Sequence, residues 1–305
     1  SYTPRPKGPA MDFLRNARAK MNMEITGHHN AKNEVMRQLC AWVNTGCASI
    51  AIGLEGEPGI GKTVFAKRVL ANCMGRPFYF LSLGGNTDVS GLLGHSSTYE
   101  GAIPGDLALA LTRCGRMDPV IFFDELDKLC PIKGAATANA LVHITDPVQN
   151  GHIHDRFFQG IDLDLSRAVF VFSYNDASRI SPILLDRLKR IRMESPSVED
   201  KRQICREHIF PRVMADAGIS HAVGDDVIDL LLARNKEPGM RGIERDIKHI
   251  VQSHALVRQC GPAVIGLSEN TCADALTSDL AQTLLADASS TDLSASSAPP
   301  SVMYS

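Results

Sequence analysis

The stretch Gly56-Glu57-Pro58-Gly59-Ile60-Gly61-Lys62-Thr63 lies between an apolar run, Ile50–Leu54, and a helical pattern that begins near Lys62. It fits the pattern G-x-x-x-x-G-K-[ST] in the strand, loop and helix context that the motif requires. Its glycines let backbone N–H groups face phosphate oxygens, and the positive end of the helix dipole points to the same place. We therefore predict a nucleotide-binding loop in which Lys62 reaches the β and γ phosphates and Thr63 offers its hydroxyl to Mg²⁺.

The residues around this loop alternate short apolar runs with helical patterns, which is typical of parallel strands joined by crossover helices. The predicted strands are Ile50–Leu54, Phe78–Leu83, Val120–Phe123, Ala168–Ser173 and Arg190–Met193. The predicted helices are Asn30–Val43, Lys62–Met74, Pro104–Cys114 and Ala135–Thr145. Nearly continuous apolar strands suit a sheet that is covered on both faces. Residues 23–195 are thus predicted to form a three-layer α/β domain with a parallel sheet.

The remaining segments differ in character from this domain. Residues 1–22 contain three prolines and a basic stretch, and we interpret them as an arm or linker. Residues 196–258 lose the strand signals and predict a small helical domain with helices at Val198–Phe210, Asp225–Arg234 and Met240–Arg258. Residues 259–305 contain no Lys or Arg and end in a Ser/Ala/Pro-rich stretch, which predicts a mostly disordered tail with one weak helix around Asp279–Ala286.

Composition excludes several classes of protein. The chain has 305 residues, 44% hydrophobic and 22% charged, with a formal net charge of -2, which describes an ordinary globular protein of about two domains. No apolar run approaches the roughly 18 residues of a membrane span, and no targeting signal opens the chain, so the cytoplasm is the default expectation. Its 8 cysteines form no C-x-x-C pair and no zinc-like spacing with histidines.

Two acids follow the third predicted strand. Val120–Phe123 runs directly into Asp124 and Glu125, at the edge where an open α/β sheet presents its ligand-binding groups. In this position Asp124 is expected to hold the Mg²⁺ shell, and Glu125 is expected to orient and deprotonate an attacking water molecule. The alternative is a strand that simply ends in a solvated turn. This interpretation is less favoured because the chain also contains the loop at 56–63.

Five segments together resemble the ATPase module of the Lon protease family, a branch of the AAA+ ATPases. They are LSLGGNTDVSGLLGHSSTYEGAIPG (81–105), DPVIFFDELDKL (118–129), ITDPVQN (144–150), LLDRL (184–188) and EPGMRGIERDI (237–247). Details such as GIDLDLSRAVFVFSYND are most similar to the Lon-like ATPases of large DNA viruses. The resemblance covers most of residues 23–258 and implies a P-loop AAA+ core with a helical lid, ATP as nucleotide, and a homo-oligomeric, hexameric ring.

The resemblance also implies roles for individual residues. Asn175 matches the sensor that positions the attacking water beside Glu125, and Arg187 matches the arginine finger that reaches the γ phosphate of a neighbouring subunit. Arg241 matches the second sensor, on the lid. Tyr99 lies in the segment that lines the central pore in Lon and grips extended polypeptide, where an aromatic ring suits a sequence-tolerant contact. Glu100 follows it where Lon has an apolar residue, and the second pore segment, near 128–137, keeps little of the family pattern.

The largest departure from Lon is expected at the C-terminal end. Lon continues into a protease domain with a Ser-Lys dyad, whereas residues after Arg258 include no lysine and are too few for that domain. The expectation is therefore an ATP-driven unfoldase or remodelling motor without peptidase activity of its own. Three alternatives stay open: a nucleic-acid-associated ATPase with basic patches at Arg15, Arg18 and Lys20 or at Lys189, Arg190 and Arg192, a nucleotide-gated scaffold, and the ATPase part of a Lon-type protease completed elsewhere.

Overall fold

The computed structural model describes residues 7–45, 50–84, 88–96, 98, 100–129, 134–220, 223–265 and 275–295. The chain divides into two compact units, Ser1–Ser195 and Pro196–Ser305. In the part of the chain that is described, no helix combines the length and the apolar character needed to cross a membrane.

The first unit is built on a five-stranded parallel sheet. Its strands are β1 (Ile50–Glu55), β2 (Phe78–Ser82), β3 (Val120–Asp124), β6 (Val169–Tyr174) and β7 (Lys189–Arg192), in the spatial order β2-β3-β6-β1-β7. All four pairings are parallel. The sheet predicted from the apolar runs is confirmed, and each strand agrees with its predicted bounds to within about one residue. A separate two-stranded antiparallel hairpin, β4 (Ile153–His154) and β5 (Asp162–Leu163), was not predicted.

The central strands are apolar because both of their faces are covered. Along β3, Val120 and Phe122 pack into one core, whereas Ile121 and Phe123 pack into the core on the opposite face. The same alternation runs along β6, where the Phe172 ring stacks on Phe123 with ring centroids 4.7 Å apart. Side chains on a strand alternate between the faces of the sheet, so a continuous apolar run fills two cores at once.

Helices cover both faces of the sheet and complete the predicted three layers. One core includes residues of α1 (Lys7–Glu24), α2 (His29–Thr45) and α3, a continuous helix made of Lys62–Phe65, a π-helical stretch Ala66–Ala71, and Asn72–Met74. The other includes residues of α4 (Val89–Leu93), α5 (Asp106–Cys114), α6 (Ala135–Thr145) and α7 (Pro182–Arg187). Short 3₁₀ turns lie at Leu126–Lys128 and Ala177–Arg179.

The N-terminal helix corrects the interpretation of residues 1–22 as an arm. Ala17 and Met21 on α1 are 1% and 0% exposed and belong to the same core as β1 and β6. The basic residues that suggested a connector lie on the same helix as this apolar stripe. Helix α1 is therefore a packed part of the first unit.

The second unit is helical. It contains α8 (Val198–Ile204, continuing through a π-helical stretch Cys205–Ile209 to Phe210–Asp216), α9 (Asp225–Arg234), α10 (Arg241–Cys260), a 3₁₀ turn at Pro262–Ile265, and α11 (Ser278–Ala295). Helix α8 begins with a capping box in which Ser197 and Asp200 exchange hydrogen bonds between side chain and backbone. The lid-like helical character of this unit agrees with the expected fold class.

Helix α11 differs from the predicted tail. It spans 18 residues, and its Leu280, Ala281, Leu284 and Leu285 are at most 5% exposed, within the core of the second unit. The low charge and the serine content of this segment suggested disorder. The i, i+1, i+4, i+5 spacing of these four residues nevertheless forms an apolar stripe, which packs and orders the helix.

Candidate functional site

The loop after β1 has the backbone geometry that the glycine pattern predicts. Gly59 and Gly61 have φ angles of 78° and 95°, in the left-handed region that favours glycine. Gly61 is the N-cap residue of α3, so the N-terminal N–H groups of this long helix face the loop. A Cβ atom at Gly56 would lie 2.7 Å from the Met193 carbonyl oxygen, which explains why the loop leaves the strand through a glycine.

The ammonium group of Lys62 joins this loop to the end of β6. It donates to the carbonyl oxygens of Gly56 and Glu57, at 2.6 and 3.0 Å, and to Asn175 Oδ1 at 2.6 Å. Lys62 and Asn175 are 113 positions apart in sequence. The sheet brings them together because β1 and β6 are parallel neighbours whose carboxyl ends lie at the same edge.

Asp124 and Glu125 lie at the same edge, on the other side of β6. The Ser173 hydroxyl donates to Asp124 Oδ1, and the Glu125 backbone N–H also donates to Asp124 Oδ1, at 3.1 Å. Both of these hydrogen bonds use Oδ1, which leaves Asp124 Oδ2 for a metal ion or its water ligands. Ser173, a polar residue in the apolar run VFVFSY, had not been predicted as a site residue.

Glu125 has an unusual backbone conformation. Its φ angle is 60°, and among the described residues only His28 is another non-glycine with positive φ. Such a conformation costs on the order of 1–3 kcal/mol and persists where the surroundings determine it. The exposed Glu125 side chain lies against the backbone of Gly84, where an added Cβ would overlap the carboxylate. His28 contacts the loop itself, with Nε2 3.1 Å from the Ile60 carbonyl oxygen.

A buried carboxylate connects the turns that carry Glu125 and Asn175. Asp127 is 3% exposed, and its Oδ2 accepts hydrogen bonds from the backbone N–H groups of Asn175 and Asp176, both at 3.2 Å. These two bonds fix the start of the turn after β6. The structure thus brings together Lys62, Asp124, Glu125 and Asn175, and adds Asp127 as a support that sequence reasoning had missed.

The donor set suits magnesium. Thr63 lies half-buried in the first turn of α3, directly after Lys62, and offers a hydroxyl oxygen. Asp124 offers a carboxylate oxygen, so both candidate ligands are hard oxygen donors. Mg²⁺ prefers such oxygens and is commonly bound by few protein ligands together with phosphates and water. The described residues contain no cluster of three or more His, Cys, Asp or Glu side chains that would form a self-sufficient metal site.

Three further predicted residues lie outside this group. Arg187 ends α7 and its Nη1 pairs with Asp146 Oδ2 at 3.0 Å; no described hydrogen bond or ion pair joins it to the residues above. Arg241 is exposed at the first residue of α10 in the second unit. Tyr99 lies outside the described residues, as do parts of the 128–137 segment.

The base of the loop that contains Tyr99 is described. The His95 backbone N–H donates to the Ile103 carbonyl at 3.1 Å, and the Gly105 N–H donates to the buried carboxylate of Asp155 at 2.9 Å. The Arg156 N–H donates to the Leu93 carbonyl at 2.7 Å, which holds the neighbouring segment against the same base. The two arms of the 94–105 segment are therefore tied together where they leave the unit.

Comparison with known proteins shows which families the chain resembles. Residues 52–195 match the family described as "ATPase family associated with various cellular activities (AAA)". The chain is 35% identical over 247 residues to a Lon protease homolog of Acanthamoeba polyphaga mimivirus, covering 79% of this chain and 24% of that protein. It is 39% identical over 216 residues to the peroxisomal Lon protease homolog 2 of Pichia angusta, covering 69% and 23%. It is 33% identical over 251 residues to the Lon protease of Frankia alni, covering 77% and 28%.

The chain spans about a quarter of the length of these relatives. The match includes the strands and loops that carry Lys62, Asp124, Glu125 and Asn175, which lie within residues 52–195. This agreement between the nucleotide-binding geometry and the matched region identifies the chain as carrying an ATPase module of the AAA family that is related to the Lon proteases.

Proposed function

We propose that this ATPase works as one subunit of a homo-oligomeric ring, hexameric by its Lon resemblance, which unfolds, threads or remodels polypeptides. The best support for this proposal is that one chain groups most of the predicted hydrolytic residues but does not join Arg187 to them. Lys62, Asp124, Glu125 and Asn175 gather at one sheet edge, whereas Arg187 is paired with Asp146, and no described hydrogen bond or ion pair joins it to that group. A hydrolytic site that needs a cationic finger then obtains it from a second copy of the chain.

The residues of one chain have complementary tasks in ATP hydrolysis. The Lys62 ammonium exchanges neutral carbonyl partners for phosphate oxygens, which form stronger, charge-assisted hydrogen bonds. Glu125 accepts a proton from the attacking water, and the Asn175 amide orients that water toward the γ phosphate. Asp127 keeps the Asn175 turn fixed relative to the Glu125 turn through its two backbone bonds. This pre-organisation matters because phosphoryl transfer depends mainly on positioning and charge.

Thr63 and the Asp124 carboxylate are the residues that would hold Mg²⁺. Such an ion would supply positive charge that neutralises the charge developing on the phosphates during hydrolysis. Ser173 and the Glu125 N–H orient the Asp124 carboxylate through Oδ1. Arg241, on the lid-like unit, is proposed as the second sensor of its own subunit, which couples the lid to the nucleotide state.

The test is steady-state ATPase rate against protein concentration, with particle mass measured in parallel. The natural chain, Glu125→Gln and Arg187→Ala are compared, with Arg206→Ala as a control that removes an exposed arginine from an ion pair with Asp225. We expect the rate per subunit to rise as rings form. Arg187→Ala is expected to lower the ATPase rate per subunit roughly a thousandfold. Glu125→Gln is expected to lower the same rate about a hundredfold or more. Tight ATP binding without turnover, or a rate indifferent to Arg187, would favour the nucleotide-gated scaffold.

Polypeptide handling needs its own test. A tagged substrate whose unfolding is followed by fluorescence is expected to lose its fluorescence with the natural chain and ATP. Tyr99→Ala is expected to slow unfolding more than ATP hydrolysis, and Tyr99→Phe, which keeps the ring, is the matched control. Equal unfolding by both variants would argue against a gripping role. That these 305 residues do not hydrolyse peptides stays a prediction, which a fluorogenic peptide assay checks directly.

Nucleic-acid association has weaker support in the structure. Arg190 of one basic patch pairs with Glu55 at 2.7 Å, and Arg18 of the other donates to Asn33 at 2.8 Å. Each patch thus has one cation that is engaged within the first unit. Binding to DNA that falls steeply with added salt would restore this alternative.

A further inference from the structure

Asp146 holds the candidate finger in place. Its carboxylate Oδ2 lies 3.0 Å from Arg187 Nη1, and the same carboxylate accepts hydrogen bonds from the Val148 backbone N–H at 2.9 Å and the Gln149 side-chain amide at 3.2 Å. Asp146 is the C-cap residue of α6, so its own backbone is fixed by the helix end. The Arg187 side chain therefore pairs with a carboxylate whose position is fixed by the Val148 N–H and the Gln149 amide.

The ion pair leaves the arginine available to a second partner. A guanidinium group carries five N–H donors in a planar fork, and the described pair with Asp146 uses Nη1. The Arg187 side chain keeps 32% of its surface exposed, whereas Asp146 keeps 16%. An unrestrained arginine side chain loses rotamer entropy when it is fixed. The ion pair with Asp146 restricts the rotamers of Arg187 before its guanidinium binds a phosphate.

The surface around Arg187 carries exposed apolar side chains. Ile183 lies four positions before Arg187, on the same face of α7, and is 65% exposed. Val148, whose N–H is bound by Asp146, is 85% exposed. Two large apolar side chains thus border the Arg187 cation. In the proposed ring, the anionic ligand of this cation is the phosphate of a nucleotide bound at the sheet edge that carries Lys62 in another subunit. The hydrogen bonds and ion pairs described for Arg187 include none to the Lys62 edge of its own chain.

We propose that Asp146 is a positioning residue for Arg187, holding the guanidinium at this surface in the orientation that enters the nucleotide site of the adjacent copy. The inference rests on the proposed ring. Asp146 also links the end of α6 to the finger, so a movement of that helix would carry Arg187 with it. The backbone N–H of Val148 and the guanidinium of Arg187 both lower the pKa of Asp146, so the carboxylate is ionised at neutral pH.

A mixing experiment tests the role, because a finger acts on the neighbour. Asp146→Asn keeps the size of the side chain and removes its charge; we expect its ATPase rate to fall about a hundredfold, with ATP affinity and particle mass unchanged. Asp146→Glu, which restores the charge one methylene further out, is expected to recover part of the rate. Asp229→Asn, which removes an exposed carboxylate from an ion pair in the second unit, is the matched control.

Asp146→Asn is then mixed with Glu125→Gln, whose own site is inactive but whose finger is intact. With random assembly in equal amounts, about a quarter of the sites combine an intact Glu125 with a correctly held finger, so activity should rise above that of either variant. Arg187→Ala mixed with Glu125→Gln is the reference. Full activity of Asp146→Asn alone, or recovery in the reference mixture but not with Asp146→Asn, would overturn the positioning role. No recovery in either mixture would refute the ring arrangement and this inference together.

Discussion

The contact between Gly84 and Glu125 makes a sharp prediction about Gly84→Ala. A Cβ at this position would lie 3.1 Å from the Glu125 carboxyl carbon and 3.5 Å from its Cβ, and would overlap the carboxylate oxygen Oε2. Only the end of an exposed, flexible side chain has to move, and the backbone of Glu125 can stay in place. Gly84 does not have a positive φ angle, so alanine fits the local backbone.

The substitution should separate stability from catalysis. Replacing a glycine in an accessible conformation stabilises a protein by about 0.4–1 kcal/mol through the unfolded state, so the midpoint of thermal unfolding should stay constant or rise slightly. The carboxylate must rotate away by about 1 Å or more, and a displacement of that size costs roughly a hundredfold in rate. We therefore expect kcat to fall about a hundredfold, which corresponds to about 2.7 kcal/mol in the activation barrier.

The assay is ATP turnover with nucleotide affinity and thermal unfolding measured on the same preparations. Gly151→Ala is the matched control, because a Cβ there has only Asp164 Oδ1 nearby, at 3.8 Å. This control should leave turnover and nucleotide affinity unchanged. Normal turnover by Gly84→Ala would refute the assignment of Glu125 as the base, and a large drop in stability would refute the reading that only the carboxylate moves.

Three further outcomes are expected. Lys62→Ala should weaken ATP binding about a hundredfold or more, measured with a fluorescent nucleotide, because the cation that meets the phosphates is lost; unchanged affinity would contradict the proposed phosphate site. Asp127→Ala leaves the partly buried backbone N–H groups of Asn175 and Asp176 without their acceptor, at no more than about 1–3 kcal/mol each, and should lower both the unfolding midpoint and kcat. If Asp127→Ala kept a normal unfolding midpoint and normal turnover, the link between the turns that carry Glu125 and Asn175 would be dispensable. Removing residues 276–305 should destabilise the second unit by several kcal/mol, at about 2 kcal/mol per buried leucine, and an unchanged unfolding midpoint would contradict the packing of α11.

Most of the first unit could be predicted because its strands are buried on both faces. Continuous apolar runs such as Val120–Phe123 have few alternative structures, and glycine spacing defines the loop at 56–63. The hairpin at β4 and β5 was missed because two-residue strands carry no periodic signal. Helices α1 and α11 were underestimated because their apolar stripes are short and lie among polar or basic residues, so tertiary packing determines their order.

The candidate site could be predicted at the level of motifs but not of contacts. Lys62, Asp124 and Glu125 follow from local patterns, and Asn175 and Arg187 followed from the family resemblance. Asp127 looked like an ordinary charged residue after Asp124 and Glu125, and nothing local shows that the carboxylate is buried against β6. The roles proposed for Gly84 and Asp146 involve residues distant in sequence, Glu125 and Arg187, so they could be inferred only from the packed sheet and helices.

The strand order has a consequence for how the protein is made. Strand β1 lies between β6 and β7, so the strand that leads into the phosphate loop pairs only with segments synthesised more than a hundred residues later. Closing such long loops is slow, because the entropy of the chain is lost before the pairing is gained. During translation, β1 has no strand partner until β6 has left the ribosome. The nucleotide site is thus formed late in folding, and ATP binding reports that β1, β3 and β6 have paired.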